Sequence, residues 1–374
     1  MPLSVDTDLP AGNAMLESVE GDTIRLRPDV RDTLEPWFWW CVRVRGCAGR
    51  RLRFELTVPN SLTTRGAVTS SDQGATWIWI PHYDPTAWAF EVEAGEADEL
   101  WVALAPPYTS REFEAWLART VGHPALHRSD LCRSPAGRST PLLALGQQDG
   151  GEAFQALITA RHHACESLAS YALEGLMDVV LSQDDLGERL RAQWRFEVVP
   201  FVDFDGVEAG DQGKSRGPRD HNRDYTESPI YPEVAAVQRL VRDRFDARMR
   251  VHLDLHCPWV RDTWNEHIYI VGSRDPVNAE RQRAFASMLE SVAEGPLPYR
   301  AAGTLPFGEA WNVGPADPSF VSSSRWTTAH APGTPLVASF EVPYAVADGV
   351  VVTPAAARAF GRDLARTLDA WAPS

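Results

Sequence analysis

The sequence predicts an α/β protein in which an N-terminal antiparallel β unit, a sandwich or a barrel, precedes a layered unit with helices on both faces of its sheet. Two textures predict it. Residues 37–105 alternate apolar and polar positions in short aromatic runs (WFWWCVRVRG, RRLRFELTV, ATWIWI, WAFEVEAG, DELWVALAPPY) set apart by Gly, Pro, Asn and Asp, the pattern of half-buried strands. After Pro106-Pro107, short apolar runs alternate with apolar-periodic stretches long enough for helices, the order of an open sheet covered on both sides. A chain of 374 residues exceeds a typical single domain. Two units are therefore expected, residues 1–121 and 122–374.

The tryptophans between Trp37 and Trp101 fall on the N-terminal runs, where core packing is their expected task. A helix is expected near Ser110–Arg119, then a polar connector from Gly122 to Ser139. TPLLALG and FQALITA follow as short buried strands, SLASYALEGLMDVVLS as a helix, and WRFEVVPFV as a strand leading into a long polar loop. YPEVAAVQRLVRDRF reads as a helix and RVHLDLH as a strand. Near the end, PLVASFEVPY reads as a strand and AAARAFGRDLARTLDAW as a helix.

Hydrophobic content of 44% with 23% charged residues is that of a soluble globular chain, and no apolar stretch of about 18 residues suggests a membrane span. The start, MPLSVDTDLPAG, has neither the basic nor the apolar region of a secretory signal, so a cytoplasmic location is expected. Five cysteines (Cys41, Cys47, Cys132, Cys165, Cys257), odd in number and without a CxxC pair, fit reduced thiols. The net charge of −15 disfavours nucleic acid and anionic membranes as partners. Oligomeric state is left open.

In open α/β sheets, ligands bind beyond the carboxyl ends of the strands, and the chemistry-bearing residues fall there repeatedly. In ARHHACES, His163 and Glu166 stand three apart and share a face once the backbone turns helical. His256 closes RVHLDLH, Glu341 ends VASFE, and GDQGKSRGPRDHNRDY follows VVPFV. Two histidines and a carboxylate match the three protein ligands of a catalytic zinc, which keeps a fourth position for water. Glu341 can then take the water's proton. Asp220 can fix a ligand histidine by accepting its other N–H, and Asn222-Arg223 suits a carboxylate through an amide and a guanidinium fork. His162 and His252 compete as ligands, although His252 lies four residues before His256 on the same strand face. Each residue alone also has a bland reading: a helix start for HxxE, a core histidine for His256, a solvated turn for Lys214, Arg216, Arg219 and Arg223. Their joint placement at four strand ends favours a site.

ARHHACES resembles the HxxE metal motif of the zinc metallocarboxypeptidases, and its wider ARxHxxES context is similar to their cytosolic carboxypeptidase branch. VDFDGVEAGDQGKSRGPRDHNRDY resembles that branch's "DGV…G…R…DLNR" block, DLHCP its "DLHGH" block, and SFEVPY the strand with its catalytic glutamate. WFWW, SSDQGATW and VALAPPYT are similar to its N-terminal sandwich, so the resemblance spans residues 35–345. It implies an antiparallel β-sandwich followed by an α/β/α zinc carboxypeptidase domain with a mixed, mostly parallel central sheet. It also implies one Zn2+ per chain on His163, Glu166 and His256, Glu341 as general base and acid, and Asn222 and Arg223 on the substrate's C-terminal carboxylate. Asp220 would orient His163. Arg216 would contact the substrate, polarise the scissile carbonyl and stabilise the oxyanion, with Lys214 competing because the loop length differs. Departures are Ala164-Cys165 for the usual Pro-Gly and Cys257-Pro258 for Gly-His. No tyrosine lies between Tyr299 and Tyr344, which leaves Phe320 or Trp326 for the wall that the family's active-site tyrosine lines.

The expected function is a zinc exopeptidase acting on a peptide or protein C-terminus, with acidic residues favoured if Arg325 or Arg219 serves the side-chain pocket. A second reading keeps the zinc and changes the substrate: a deacylase or amidase of small amino-acid conjugates or cell-wall peptides. The β unit ahead of the layered one weighs against it. A third, a binding module with a vestigial site, conflicts with the completeness of the set.

Overall fold

The computed structural model describes residues 2–84, 86–146, 153–245, 249–314 and 320–371. Two sheets face each other near the N-terminus. One has the strand order Ser4–Asp6, Cys41–Arg45, Glu99–Ala103, Val68–Ser70, Ile78–Trp79, and the other Met15–Glu20, Thr23–Arg27, Arg51–Leu56, Ala89–Glu93. Pairing is antiparallel apart from Thr23–Arg27 with Arg51–Leu56. Alternation drives the packing: in RLRFEL, Leu52, Phe54 and Leu56 are buried and the residues between them are not. Trp40 meets Phe90 at 6.2 Å and Phe90 stacks on Phe54 at 5.0 Å, so the aromatic residues are core, as expected of a sandwich. The strands before residue 30 are short and charge-rich, and they escape the aromatic texture that marks the rest.

The second sheet system has seven strands in the order Leu126–Arg133, Ser139–Gly146, Trp194–Val199, Phe154–Ala160, Met249–His256, Leu336–Glu341, Tyr269–Val271. The four from Trp194–Val199 to Leu336–Glu341 are parallel neighbours, and antiparallel pairings flank them. This is the mixed, mostly parallel sheet the sequence implied. Ala156 and Ile158 belong to the main core, with helices Ser167–Val180 and Pro354–Ala370; Leu157 belongs to a separate cluster under Pro232–Arg244 and Ser323–His330. Successive residues of one strand thus feed opposite layers, which is why FQALITA is apolar without a break.

Several elements were not expected from the sequence, among them helices Asp185–Gln193 and Ser323–His330 and strand Tyr269–Val271, and two more show why. The connector from Gly122 to Ser139 contains the strand Leu126–Arg133; as an edge strand with exposed positions it shows no apolar run. Helix Pro276–Val292 was not expected, because its buried face starts with amides. Asn278 and Gln282 bond the backbone of Val337, so polar atoms take the place of the apolar stripe. No helix among the described residues is long and apolar enough to cross a membrane.

Candidate active site

Strand register brings the site together. His256 is paired directly with Glu341 on the neighbouring parallel strand, and Leu255 with Ala160, the last residue before the turn that carries His163. That turn starts with Arg161 at φ +60. The Arg161 side chain is buried and donates to the carbonyls of Ala164 and Tyr108 and to Ser170 Oγ, which ties the turn to helix Ser167–Val180. Sequence reasoning gave Arg161 no task. An arginine two residues before His163 of the HxxE was the available signal.

The metal-capable atoms of His163, Glu166 and His256 lie within 4.8 Å of one another. His163 Nδ1 is 2.9 Å from Glu166 Oε1 and His256 Nδ1 is 2.8 Å from Glu166 Oε2. Both imidazoles therefore turn the same nitrogen inward, while each Nε2 faces a carboxylate behind it: Asp254 Oδ2 at 2.9 Å from His256, and Asp220 Oδ1 at 3.7 Å from His163. Two inward imidazole nitrogens, one carboxylate and outer carboxylates on the far ring nitrogens fit a divalent metal. A second group, His162 with Asp254 and His256, also converges. His162, however, is occupied by Tyr225 Oη at 2.7 Å and by Asp254 Oδ1 at 2.9 Å, and it is fully buried. His252 lies deeper, between Thr159 and Thr327, where burial pushes its pKa down to about 4.

Glu341 is 7% exposed, and its Oε2 has no hydrogen-bond donor among the described residues. Burial raises its pKa, partly offset by His256, so that it is pushed up to about 7. Burial would raise Glu166 as well, but Lys214, His163 and His256 hold it well below the usual carboxylate range. Burial opposes the charge on Lys214, and Glu166 more than restores it. The Lys214 Nζ lies 2.6 Å from Glu166 Oε1 and 4.8 Å from the centre of the Trp37 ring.

Arg216 is elsewhere. Its guanidinium is matched by Asp32 at 3.0 Å, Asp203 at 2.7 Å and Asp211 at 2.9 Å, on the side of His221 and outside the group of His163, Glu166 and His256. Of the two cations considered for one role, the structure brings Lys214 to the cluster. Asp220 bonds the amide of Ser215 through Oδ2; burial would raise its pKa, and the adjoining His163 and Arg223 keep it below the usual range. Asn222 accepts the backbone N–H of Ser323 at 3.0 Å, which leaves its amide nitrogen as the donor, and Arg223 follows it. Arg219 is held by Asp224 and the Ser228 carbonyl, while Arg325 is exposed on the first turn of helix Ser323–His330.

Cys165 and Cys257 are buried; burial pushes the Cys165 thiol up to about 12 and Cys257 well above its ordinary value, so neither offers a thiolate at neutral pH. Trp326 is buried beside Tyr225 and stacks on His330, which makes it core rather than a site wall. Tyr269 was not singled out from the sequence. Its strand position is paired with Glu341, and burial followed by the Glu341 charge raises its phenol.

The fold is that of metallo-carboxypeptidases. The chain superposes on a metallo-carboxypeptidase from Pseudomonas aeruginosa, in complex with (2-guanidinoethylmercapto)succinic acid, with a TM-score of 0.80 at 21% identity over 98% of each chain. A metallo-carboxypeptidase from Burkholderia cenocepacia gives 0.79 at 21% identity, covering 99% of this chain and 98% of that one. In sequence, the chain is similar to cytosolic carboxypeptidase 2 of Xenopus tropicalis (27% identical over 220 residues, 55% of this chain and 22% of the relative). It is also similar to cytosolic carboxypeptidase 6 of Caenorhabditis elegans (26% over 211 residues, 50% of this chain and 46% of the relative). The matches span less than half the length of these relatives. No family model matches the chain. The resemblance read from the sequence, to the zinc metallocarboxypeptidase family in its cytosolic carboxypeptidase-like branch, therefore holds.

Proposed function

We infer that the chain is a zinc-dependent metallocarboxypeptidase that hydrolyses the C-terminal peptide bond of a peptide or protein. One observation carries the reading: two imidazoles and a carboxylate converge at the carboxyl ends of parallel strands, with the Glu341 carboxylate in register beside His256. His163, Glu166 and His256 would hold one Zn2+, which when bound supplies the Lewis acidity that makes water a usable nucleophile near neutral pH. Glu341, a buried carboxylate in register beside His256, takes a proton from the attacking water and returns it to the leaving amine. Lys214 polarises the scissile carbonyl and stabilises the charge that develops on its oxygen, a role for which Arg216, matched by three carboxylates, is badly placed. Asn222 and Arg223 receive the terminal carboxylate. Asp220 and Asp254 hold the outer nitrogens of His163 and His256. A preference for acidic C-terminal residues would rest on Arg325, two residues along the helix from the Ser323 amide that fixes Asn222. The names of the cytosolic carboxypeptidase relatives support the peptidase reading and a cytoplasmic location.

The test is mass spectrometry of a mixed peptide library incubated with the zinc-loaded protein and with its Glu341→Gln variant. Loss of single C-terminal residues is expected with the parent, and a rate lower by about 10²–10⁴ in the variant at unchanged zinc content. Zinc binding without peptide shortening would remove the carboxypeptidase reading and leave the amidase alternative.

A further inference from the structure

The connector between the two N-terminal sheets, residues 28–40, is wrapped around the turn that carries Lys214. Asp32 accepts three bonds from it: from the Gln212 amide at 3.1 Å, the Gly213 amide at 2.8 Å and Arg216 Nε at 3.0 Å. The Gln212 side chain answers in the other direction, accepting from the Trp39 amide and donating to the carbonyls of Asp29 and Trp39. Leu34 N–H donates to the Ser215 carbonyl, and Asn13 and Arg31 donate to those of Gly210 and Ala209.

This turn has reason to need a template. Gly213 and Ser215 both have positive φ, +74 and +50, and only the first is a glycine. The turn is also pressed onto the HxxE turn: a Cβ at Gly213 would lie 2.1 Å from the Ala164 amide nitrogen, and Cys165 N–H donates to the Gln212 carbonyl. Lys214 lies between these anchored residues and Ser215, so its backbone is held on both sides. Its ammonium reaches Glu166, with the Trp37 ring of the same connector on its flank and Trp259 packed against Trp37 at 4.6 Å.

We propose that the N-terminal connector is a working part of the active site: Asp32 is a positioning residue that sets the 212–215 turn, and through it and the Trp37 wall places the Lys214 ammonium. The proposal rests on the reading of Lys214 as the group that polarises the carbonyl. It gives the connector between the N-terminal sheets a task in the reaction through Lys214.

The experiment uses the zinc-loaded full chain and Asp32→Asn, Lys214→Ala and the double variant. Acylation of Lys214 by an amine-reactive ester, mapped by mass spectrometry, and hydrogen exchange at Gln212 and Gly213 read the turn without reference to activity. In Asp32→Asn, faster exchange at both amides and faster labelling of Lys214 are expected, with zinc affinity unchanged. In turnover, kcat falls by about 100-fold at unchanged KM, and the double variant is no slower than Lys214→Ala alone. Unchanged exchange and labelling in Asp32→Asn overturn the proposal, as do losses that multiply in the double variant, since Asp32 would then support the fold and not Lys214. Should the parent shorten no peptide, the carboxypeptidase reading fails, and labelling and exchange still decide whether Asp32 sets the turn. Should Asp32→Asn fail to fold, Trp37→Leu, which keeps the Asp32 bonds, must still speed Lys214 labelling for the proposal to stand.

Discussion

Two buried polar clusters flank the turn after Ala209, built from the same kinds of residue. In one, His163, Glu166 and His256 converge, with Lys214 and Glu341 beside them. In the other, Arg216 is matched by Asp32, Asp203 and Asp211, and His221 lies between Asp203 and Glu233 at 3.8 and 3.9 Å while its ring stacks on Tyr231. Both metal-capable groups among the described residues include His256, and neither includes His221. Residue type does not separate the two. What separates them is whether donors converge on one point or are dispersed around a cation that already satisfies them. The first arrangement suits chemistry and the second holds a turn in place.

Arg216→Met tests the second cluster and should have the largest effect. Removing the guanidinium leaves the buried Asp203 and the half-buried Asp32 and Asp211 unmatched, a loss of about 3–5 kcal/mol of stability, read by denaturant unfolding, with zinc affinity of the folded fraction unchanged. Lys214→Ala tests the first and should do the reverse: kcat lower by about 10²–10³, with an unfolding midpoint near that of the parent. If the two variants traded effects, the comparison would break.

Glu233 sharpens it. Burial pushes its carboxyl up to about 7, so the folded state keeps a proton that the unfolded chain releases near pH 4.5. Stability contributed through this group falls as pH rises from about 4.5 to 7, and the penalty is complete above that. Glu233→Gln should therefore be more stable than the parent above pH 7, by at most about 3 kcal/mol, with the difference vanishing below pH 4.5. Unfolding midpoints at pH 4.5 and 8 check it. The smallest effect is expected for Asp254→Asn, which removes the acceptor behind His256 and should weaken zinc by about 10–100-fold, measured by competition with a chelator.

Much of this was legible in the sequence because local spacing carries it. HxxE at a helix start, DLH and SFE at strand ends, and the unbroken apolar run of FQALITA each encode their own geometry. Asp254 was also readable, since it stands two residues before His256 and so shares its strand face. Lys214 against Arg216 was not. Their directions depend on left-handed backbone at Gly213 and Ser215 and on Asp32, which lies some 180 residues away in the chain. The edge strand Leu126–Arg133 and the helix with Asn278 and Gln282 were missed for a related reason: the strand and the start of the helix meet backbone groups, and the helix's buried apolar residues, Phe285, Ala286 and Leu289, come only in its second half.

The central claim is that His163, Glu166 and His256 hold the metal. Zinc stoichiometry and affinity of the parent, His163→Ala, His162→Gln and His221→Ala test it most directly. The account predicts one zinc per chain in the parent and in His221→Ala, a weakened single site in His162→Gln, and loss of the site in His163→Ala. A His163→Ala variant that keeps one zinc at parent affinity, while His162→Gln loses it, would move the metal to His162, Asp254 and His256 and contradict the account.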